Sequence, residues 1–344
     1  MSRPDYVVFI GRFQPFHNGH LKILKHALTR AKKSVIVVLG SANAPRTIKN
    51  PFTASERQNM ISASVSEADA KRLSFVAIED SVYNNAAWFK SVTSSVEAAA
   101  LFSSSIALIG HKKDASSFYI DMFPQWEKIE MENVAGLSST PIRESYFTQD
   151  DSLILQSKEL PEPVRYFMFN FVSTQGFRAL KAEYDHIAKY RKAWEAAPYA
   201  PTFVTVDACV VQSNHVLLVQ RRAEPGKGLW ALPGGFLNPQ ETIEDGALRE
   251  LKEETKIDVP VPVLRGSIRA TKVFDDPNRS MRGRTITHAY LIHLSQSPTA
   301  AWTLPKVKGS DDAAKARWWP LSHVQRSMMF EDHMDIILNL TARL

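Results

Sequence analysis

Tyr6-Val7-Val8-Phe9-Ile10-Gly11-Arg12-Phe13-Gln14-Pro15-Phe16-His17-Asn18-Gly19-His20 decides how the first half of this 344-residue chain is read. Residues 6–10 are an unbroken β-branched and aromatic run, the pattern of a strand buried on both faces. Gly11 permits a sharp turn, and a helix is expected to begin close to Gly19, with Leu21, Leu24, Leu28 and Ala31 on its apolar period. Ser34 to Leu39 is a second buried strand, so strand, helix and strand make one right-handed crossover unit. His17 and His20 fall where the strand hands over to the helix. Unpaired backbone N–H groups and the positive end of the helix dipole favour an anion there. Two imidazoles flanking Gly19 would add donors for a phosphate; the competing reading is of two loop histidines without a ligand.

The length suits two domains, each able to bury its own core. Apolar content of 44% and charged content of 23% describe a soluble globular protein. No apolar run reaches membrane-spanning length, and the start lacks a signal-peptide layout. Cys209 is the sole cysteine, so no intramolecular disulfide forms, a reducing cytoplasm fits, and its apolar surroundings mark a buried structural thiol. The net charge of +6 and pI near 9.2 raise nucleic-acid binding. Lys and Arg are interspersed with acids, however, and favour small polyphosphate ligands; no nucleic-acid or membrane partner is expected, and a homo-oligomer is compatible.

Downstream, Gly40 to Thr47 is a loop of small and turn residues at a strand's carboxyl end, the edge where open parallel sheets bind ligands. Arg46 in it reads as a phosphate or substrate contact. Thr53-Ala54-Ser55-Glu56 is a capping box opening a helix; Arg57 on it reads equally as a solvated charge or a ligand contact. Phe75 to Ile78 is a strand, and an Asn at 84 or 85 caps a helix bearing Trp88. Ser105 to Ile109 is a further strand ending in Gly110-His111-Lys112, either a nucleotide-facing loop or an exposed turn. Trp126 to Val134 is a mixed strand, and Thr140 as cap with Pro141 at the first helical position start a helix carrying Arg143.

Gly11 to His20, together with Ser138-Ser139-Thr140-Pro141-Ile142-Arg143, resembles the two signatures of the HxGH nucleotidyltransferase superfamily, and is similar to the archaeal-type nicotinamide-nucleotide adenylyltransferases. Asn50 to Arg57 resembles a segment of the same branch. The resemblance implies an α/β fold with an N-terminal Rossmann-like parallel sheet, and adenylyl transfer from ATP to nicotinamide mononucleotide, giving NAD and pyrophosphate. It implies catalytic roles for His17, His20 and Arg143, and ATP contacts by Gly11, Arg12, Phe13, Gly19, Gly110, His111, Ser138, Ser139 and Thr140. Nicotinamide-nucleotide contacts would fall to Arg46, Asp80, Asn85 and Trp88, the Trp ring stacking on nicotinamide.

Phe177 to Glu195 has Leu180, Tyr184, Ile187 and Trp194 near helical spacing, an amphipathic docking helix stopped by Pro198 and Pro201. The expected domains are residues 1–183, a connecting helix and linker 184–201, and 202–344. In the last, Phe203 to Val211 and Val216 to Val219 are strands around a polar turn. From Gly246 to Thr255 the chain favours helix, placing Glu250, Glu253 and Glu254 at i, i+3 and i+4 on one face. Three like charges there repel one another; a divalent cation turns that repulsion into binding, and magnesium prefers such oxygen ligands. Arg279 to Arg284 reads equally as a basic loop touching phosphates or a partner subunit, or as a charged hairpin, and Asp332 and His333 as capping or packing residues.

Gly235, Glu241, Arg249-Glu250-Leu251-Lys252-Glu253-Glu254 and Ile257 resemble the Nudix box, which implies an α+β Nudix domain. Lys256 departs from it where the box has glycine, so Lys256 must turn left-handed or the exit must shift. Metal ligation is expected from Glu250, Glu253 and Glu254, all three counted as catalytic, with Glu250 either ligand or base. Diphosphate contacts are expected from Gly235 and Arg249. The cofactor would be Mg2+, with Mn2+ as a substitute. The two signatures in this order resemble bifunctional proteins that join the adenylyltransferase to an ADP-ribose pyrophosphatase, which implies ATP, nicotinamide mononucleotide, NAD and ADP-ribose as ligands. The alternative is a Nudix half acting on another nucleoside diphosphate derivative or serving as a nucleotide sensor.

Overall fold

The computed structural model describes residues 3–101, 104–110, 120–131, 137–148, 152–295, 303–309 and 313–342. The chain divides into two compact units, Met1–Lys181 and Ala182–Leu344.

The first unit runs β1 (Tyr6–Gly11), α1 (Asn18–Arg30), β2 (Ser34–Leu39), α2 (Ala54–Ala63), α3 (Glu67–Ala70), β3 (Leu73–Ala77), α4 (Asn85–Ala99), β4 (Ile106–Gly110) and β5 (Glu127–Glu130). Then come α5 (Ser139–Thr148), α6 (Ser152–Gln156), α7 (Glu162–Phe171) and the first turns of α8 (Gln175–Lys192). The five strands form an all-parallel sheet in the order β3-β2-β1-β4-β5, the expected Rossmann-like α/β arrangement. Strand order reverses between β1 and β4, so their carboxyl ends flank the crevice where open sheets bind ligands.

Period-two alternation serves both faces of β1. Tyr6, Val8 and Ile10 pack with Ile36, Val38 and Leu108 against Val92 and Val96 of α4. Val7 and Phe9 are also buried, on the opposite face, and α1 packs on β1 with Ile23, Leu24, Ala27 and Leu28 buried. An aromatic group of Phe52, Tyr146, Phe171 and Phe177 ties α5, α7 and the start of α8 to the loop before α2.

The second unit has β6 (Thr202–Gln212), β7 (His215–Arg221), β8 (Trp230–Ala231), β9 (Gly234–Phe236), α9 (Ile243–Thr255), α10 (Val261–Gly266), β10 (Ile268–Phe274), β11 (Arg284–His293), β12 (Ala313–Pro320) and α11 (His333–Thr341). Its mixed sheet runs β10-β11-β6-β7-β12, with β8 on β7 and β9 on β6. The β11–β6 pair is parallel and its other neighbours antiparallel. Leu248 and Leu251 press α9 onto Ala208 and Val210 of β6, and its glutamate face meets β9, where Glu254 accepts the Gly234 N–H. Cys209 is buried, and burial pushes its thiol up to about 12, so it stays an inert core residue.

Four details bear on the sequence expectations. Helix α5 begins at Ser139, placing Thr140 and Pro141 inside its first turn; proline is tolerated there because first-turn N–H groups lack intrahelical partners. Helix α11 opens at His333, and Asp332 at its cap position makes no side-chain cap bond. Its carboxylate is taken instead by Arg279, at 2.9 and 2.8 Å in a buried bidentate pair. Residues 184–201, read as a connecting helix and linker, fall within the second unit, Ala182–Leu344. At the end of α9 the left-handed alternative for Lys256 holds: φ is 46° and ψ 32°.

Two candidate active sites

In the first unit, His17 is the N-cap of α1, and the cap is reciprocal. His17 Nδ1 accepts the His20 backbone N–H and His20 Nδ1 accepts the His17 backbone N–H, both at 3.3 Å. A ring nitrogen that accepts carries no proton, so the neutral tautomer places the hydrogen on Nε2 of each ring. The rings stack with centroids 3.6 Å apart. Gly19 makes this possible, because a Cβ there would lie 3.0 Å from the His17 ring. Phe13 and Phe16, both buried, pack against His20 and set its orientation.

Helix α5 closes on the same loop. Ser139 Oγ donates to Pro15 O at 3.1 Å, and Arg143 donates to Gln14 O at 2.7 Å and to Thr140 Oγ1 at 3.2 Å. Gln14, which the sequence reading passed over, is buried and pairs twice with the Phe52 backbone, at 2.8 and 3.0 Å. Arg57 is fully buried: it donates to the carbonyls of Arg12 and Gly40, both at 2.7 Å, and to that of Thr53 at 3.2 Å. It therefore fastens the carboxyl ends of β1 and β2 to α2. Burial, with a contribution from the charge of Arg12, pulls both Arg57 and Arg143 down to about 10. The loop is a concentration of positive charge held largely by neutral carbonyls, an environment that favours a polyanion.

The other expected contacts scatter around this loop. Asp80 receives Ser41 Oγ at 2.6 Å and Ser41 N at 3.3 Å, at the end of β2. Arg46 is engaged by Glu56 in a bidentate pair at 2.6 Å and lies over the Phe171 ring. Trp88 is half-buried, edge-on to Phe123 in the core, and Asn85 is exposed behind the cap residue Asn84. Gly110 ends β4, Arg12 is exposed and Ser138 precedes α5, while His111 lies outside the described residues.

In the second unit, Arg249 gathers the acids of α9. It donates to Glu241 at 2.8 and 2.7 Å, to Glu250 at 2.9 Å and to Glu253 at 2.8 Å. Those bonds hold Glu241 down at about 2. Glu254 instead turns to β9 and accepts the Gly234 N–H at 3.1 Å. Burial pushes Glu254 up to about 8, against that N–H and with help from Glu250, and burial likewise raises Glu250. A Cβ on Gly235 would stand 2.6 Å from Glu250 Oε1, so a larger residue there would displace the Glu250 carboxylate from its present position.

Glu254, Gly234 and Gly235 line a cavity of about 340 Å³ that also takes in Asp207, Arg221 and Arg279. Asp207 accepts Thr287 Oγ1 at 2.5 Å. His333 lies 3.9 Å from Asp207, but its Nδ1 accepts the Leu232 N–H at 3.0 Å, and burial lowers its pKa, so the contact is not an ion pair. Burial works against the Arg279 charge, yet Asp332 outweighs it and raises its pKa. None of Asp207, Arg221 and Phe236 was singled out from sequence; Asp207 meets Thr287 of β11 and Phe236 meets Phe203 of β6, partners that no local pattern marks.

Among the described residues no group of three or more His, Cys, Asp or Glu is arranged to hold a metal, because Arg249 draws Glu250 and Glu253 to itself. The donor set nevertheless fits a hard divalent cation. Glu250 and Glu254 are carboxylates raised in pKa by burial, and hard oxygen donors in such a setting suit that ion.

Comparisons with known proteins bear on both units. A cytidylyltransferase-like family model matches residues 8–145 and a NUDIX domain model matches residues 201–340. A nicotinamide/nicotinic acid mononucleotide adenylyltransferase of Acinetobacter baylyi is 43% identical over 185 residues, 54% of this chain and 95% of that protein. An ADP-ribose pyrophosphatase of Methanocaldococcus jannaschii is 32% identical over 151 residues, 44% of this chain and 80% of that protein. The crystal structure of a bifunctional NMN adenylyltransferase/ADP ribose pyrophosphatase from Francisella tularensis matches at TM-score 0.90 and 38% identity, over 98% of this chain and 99% of that one. A second structure from that organism, complexed with AMP and a Mn ion, matches at TM-score 0.87 and 37% identity, over 99% of both chains. With a 43%-identical relative covered over 95% of its length by one half, and the two-domain structure matched over 99% of its own, this chain belongs to the bifunctional NMN adenylyltransferase/ADP-ribose pyrophosphatase family.

Proposed function

We propose that the first unit transfers the adenylyl group of ATP to nicotinamide mononucleotide, and that the second hydrolyses ADP-ribose to AMP and ribose 5-phosphate. The observation that carries this reading is the pairing, in one chain, of the His17–His20 helix start closed by Arg143 with a Glu250–Glu254 face set against Gly235.

In the first reaction a phosphate oxygen of the mononucleotide attacks the α-phosphorus of ATP, and pyrophosphate leaves. No covalent intermediate on the protein is needed; positioning and stabilisation of charge suffice. His17 and His20 offer Nε2–H donors at the helix start, and Arg12 and Arg143 supply positive charge. Gly11, Gly19, Ser138, Ser139 and Thr140 let the triphosphate approach backbone and hydroxyl donors. Arg46, Asp80, Asn85 and Trp88 are assigned to the mononucleotide, Arg46 being oriented in its loop by Glu56.

In the second reaction water adds to one phosphorus of the diphosphate, and the bridging oxygen leaves with the other. Glu250 and Glu254 would hold a divalent cation, Mg2+ with Mn2+ as substitute, and Glu253 would join them at the rim. The ion would neutralise the diphosphate and lower the pKa of water. Arg249 keeps Glu250 oriented, and the glycines of β9 admit the diphosphate beside α9.

The test assays both reactions in His20→Ala and Glu254→Gln separately. Each variant should lose one activity by at least about a hundredfold and keep the other. Formation of no NAD from ATP and nicotinamide mononucleotide by the unaltered chain would sink the first assignment. No Mg2+-dependent release of AMP from ADP-ribose would sink the second.

A further inference from the structure

The NUDIX model begins at residue 201, yet the cavity of the second unit is walled in part by His186 and Tyr190 of α8, upstream of that match. The end of this helix and the turn after it are joined to the cavity by a continuous line of aromatic contacts. Tyr190 and Trp194 both meet Phe203 edge-on, with centroids 5.7 and 5.3 Å away, and Phe203 meets Phe236 at 5.8 Å. Phe236 directly follows Gly235, lines the cavity, and is 41% exposed, unusual for a phenylalanine braced so firmly from behind. The Arg282 guanidinium lies over its ring at 5.3 Å. Arg282 is positioned by its loop: Arg191 of α8 donates to the neighbouring Met281 carbonyl at 2.8 Å, and Arg282 Nε donates to Ser280 Oγ at 3.2 Å. Beyond Arg282, at 3.7 Å, is the carboxylate of Glu331, which also lines the cavity and whose backbone is held left-handed at φ 42°.

A flat aromatic ring beside a flat cation suits the face of a nucleobase, and a carboxylate at its edge suits an amino group. Building on the ADP-ribose reading of this site, we propose that Phe236 and Arg282 form a base-stacking platform and that Glu331 accepts a hydrogen bond from the 6-amino group of adenine. Tyr190 and Arg191 of α8 are positioning residues for that platform. The connecting helix is then a working part of the second site rather than a spacer.

The full-length protein is assayed with ADP-ribose and with the analogue whose base is purine, lacking the 6-amino group but able to stack. The unaltered chain should prefer ADP-ribose by at least about tenfold in kcat/KM, since a site built to pair an N–H leaves its acceptor unpaired with the analogue. Glu331→Ala should bring the two within about threefold, and Glu331→Gln, whose amide oxygen still accepts, should keep most of the preference. Phe236→Leu and Arg191→Met should raise KM for both compounds several-fold with kcat little changed. The adenylyltransferase rate and thermal unfolding of each variant report on folding. An unaltered preference in Glu331→Ala, or an unmoved KM in Phe236→Leu, overturns the platform; an unmoved KM in Arg191→Met overturns the role of α8. If the unaltered chain hydrolyses neither compound, the function proposed for this unit fails. The platform is then judged by calorimetric binding of the same two compounds to the unaltered chain and Phe236→Leu, and equal affinities throughout overturn it.

Discussion

The imidazoles of His17 and His20 lie 17° from parallel with centroids 3.6 Å apart, each accepting the other's backbone N–H at Nδ1. The same two side chains therefore cap the helix and are those proposed to donate to a phosphate, and the two roles separate by substitution. His17→Asn keeps an acceptor at the N-cap, so thermal stability should hold within about 0.5 kcal/mol while NAD formation falls by about a hundredfold or more. His17→Ala should lose both, with about 1 kcal/mol of stability gone. Equal unfolding midpoints for the two variants would show that the cap contributes nothing.

Glu183 on α8 carries a pH dependence. Burial, reinforced by Glu224 and Glu331 and opposed by the Gly226 N–H and Arg221, pushes its carboxyl up to about 7. In the unfolded chain a glutamate titrates near about 4.3. Between these values the folded state holds the extra proton, so stability is fully present below the lower pKa and is lost as pH rises through the upper one. Glu183→Gln should match the unaltered protein at pH 4 and exceed it at pH 8 by on the order of 1–2 kcal/mol, discounted for partial solvent screening. Parallel stability profiles between these pH values would contradict the assignment.

Arg249 holds Glu241, Glu250 and Glu253 at once. Arg249→Ala releases all three carboxylates, and ADP-ribose hydrolysis should fall by about 10–100-fold as their orientation is lost. NAD formation should be unchanged, which a paired assay on one preparation measures. Arg249→Lys should rescue only a small part, because an ammonium lacks the planar fork that reaches several carboxylates.

Lys256 adopts the left-handed conformation at the end of α9 despite its side chain. Lys256→Gly should relieve that strain and raise stability by about 0.5–1 kcal/mol, the gain reduced by glycine's greater unfolded-state entropy. Hydrolysis should be unaffected, since the carboxylates lie upstream. A lower unfolding midpoint would show that the Lys256 side chain contributes more than its backbone costs.

What the sequence determined by itself is what neighbours in the chain determine. The buried run at β1, the capping box of Thr53 and Glu56, the Asn cap of α4 and the glutamate face of α9 all depend on residues within one or two turns, and all are found where the spacing places them. Both signatures were legible for the same reason, since each packs its chemistry into a strand-to-helix turn or a single helix. The tertiary structure alone decided which charges serve the fold. Arg57 and Gln14 bind carbonyls from separate loops, Asp332 turns from its helix to Arg279, and Arg46 pairs with Glu56. It also brought His186 and Tyr190 of a supposed connector to the second cavity, and Arg191 to the Met281 carbonyl. A buried polar group must find a partner wherever packing supplies one, and that partner is chosen by chain segments far apart in sequence. Periodicity records which face is buried and leaves open what meets it there.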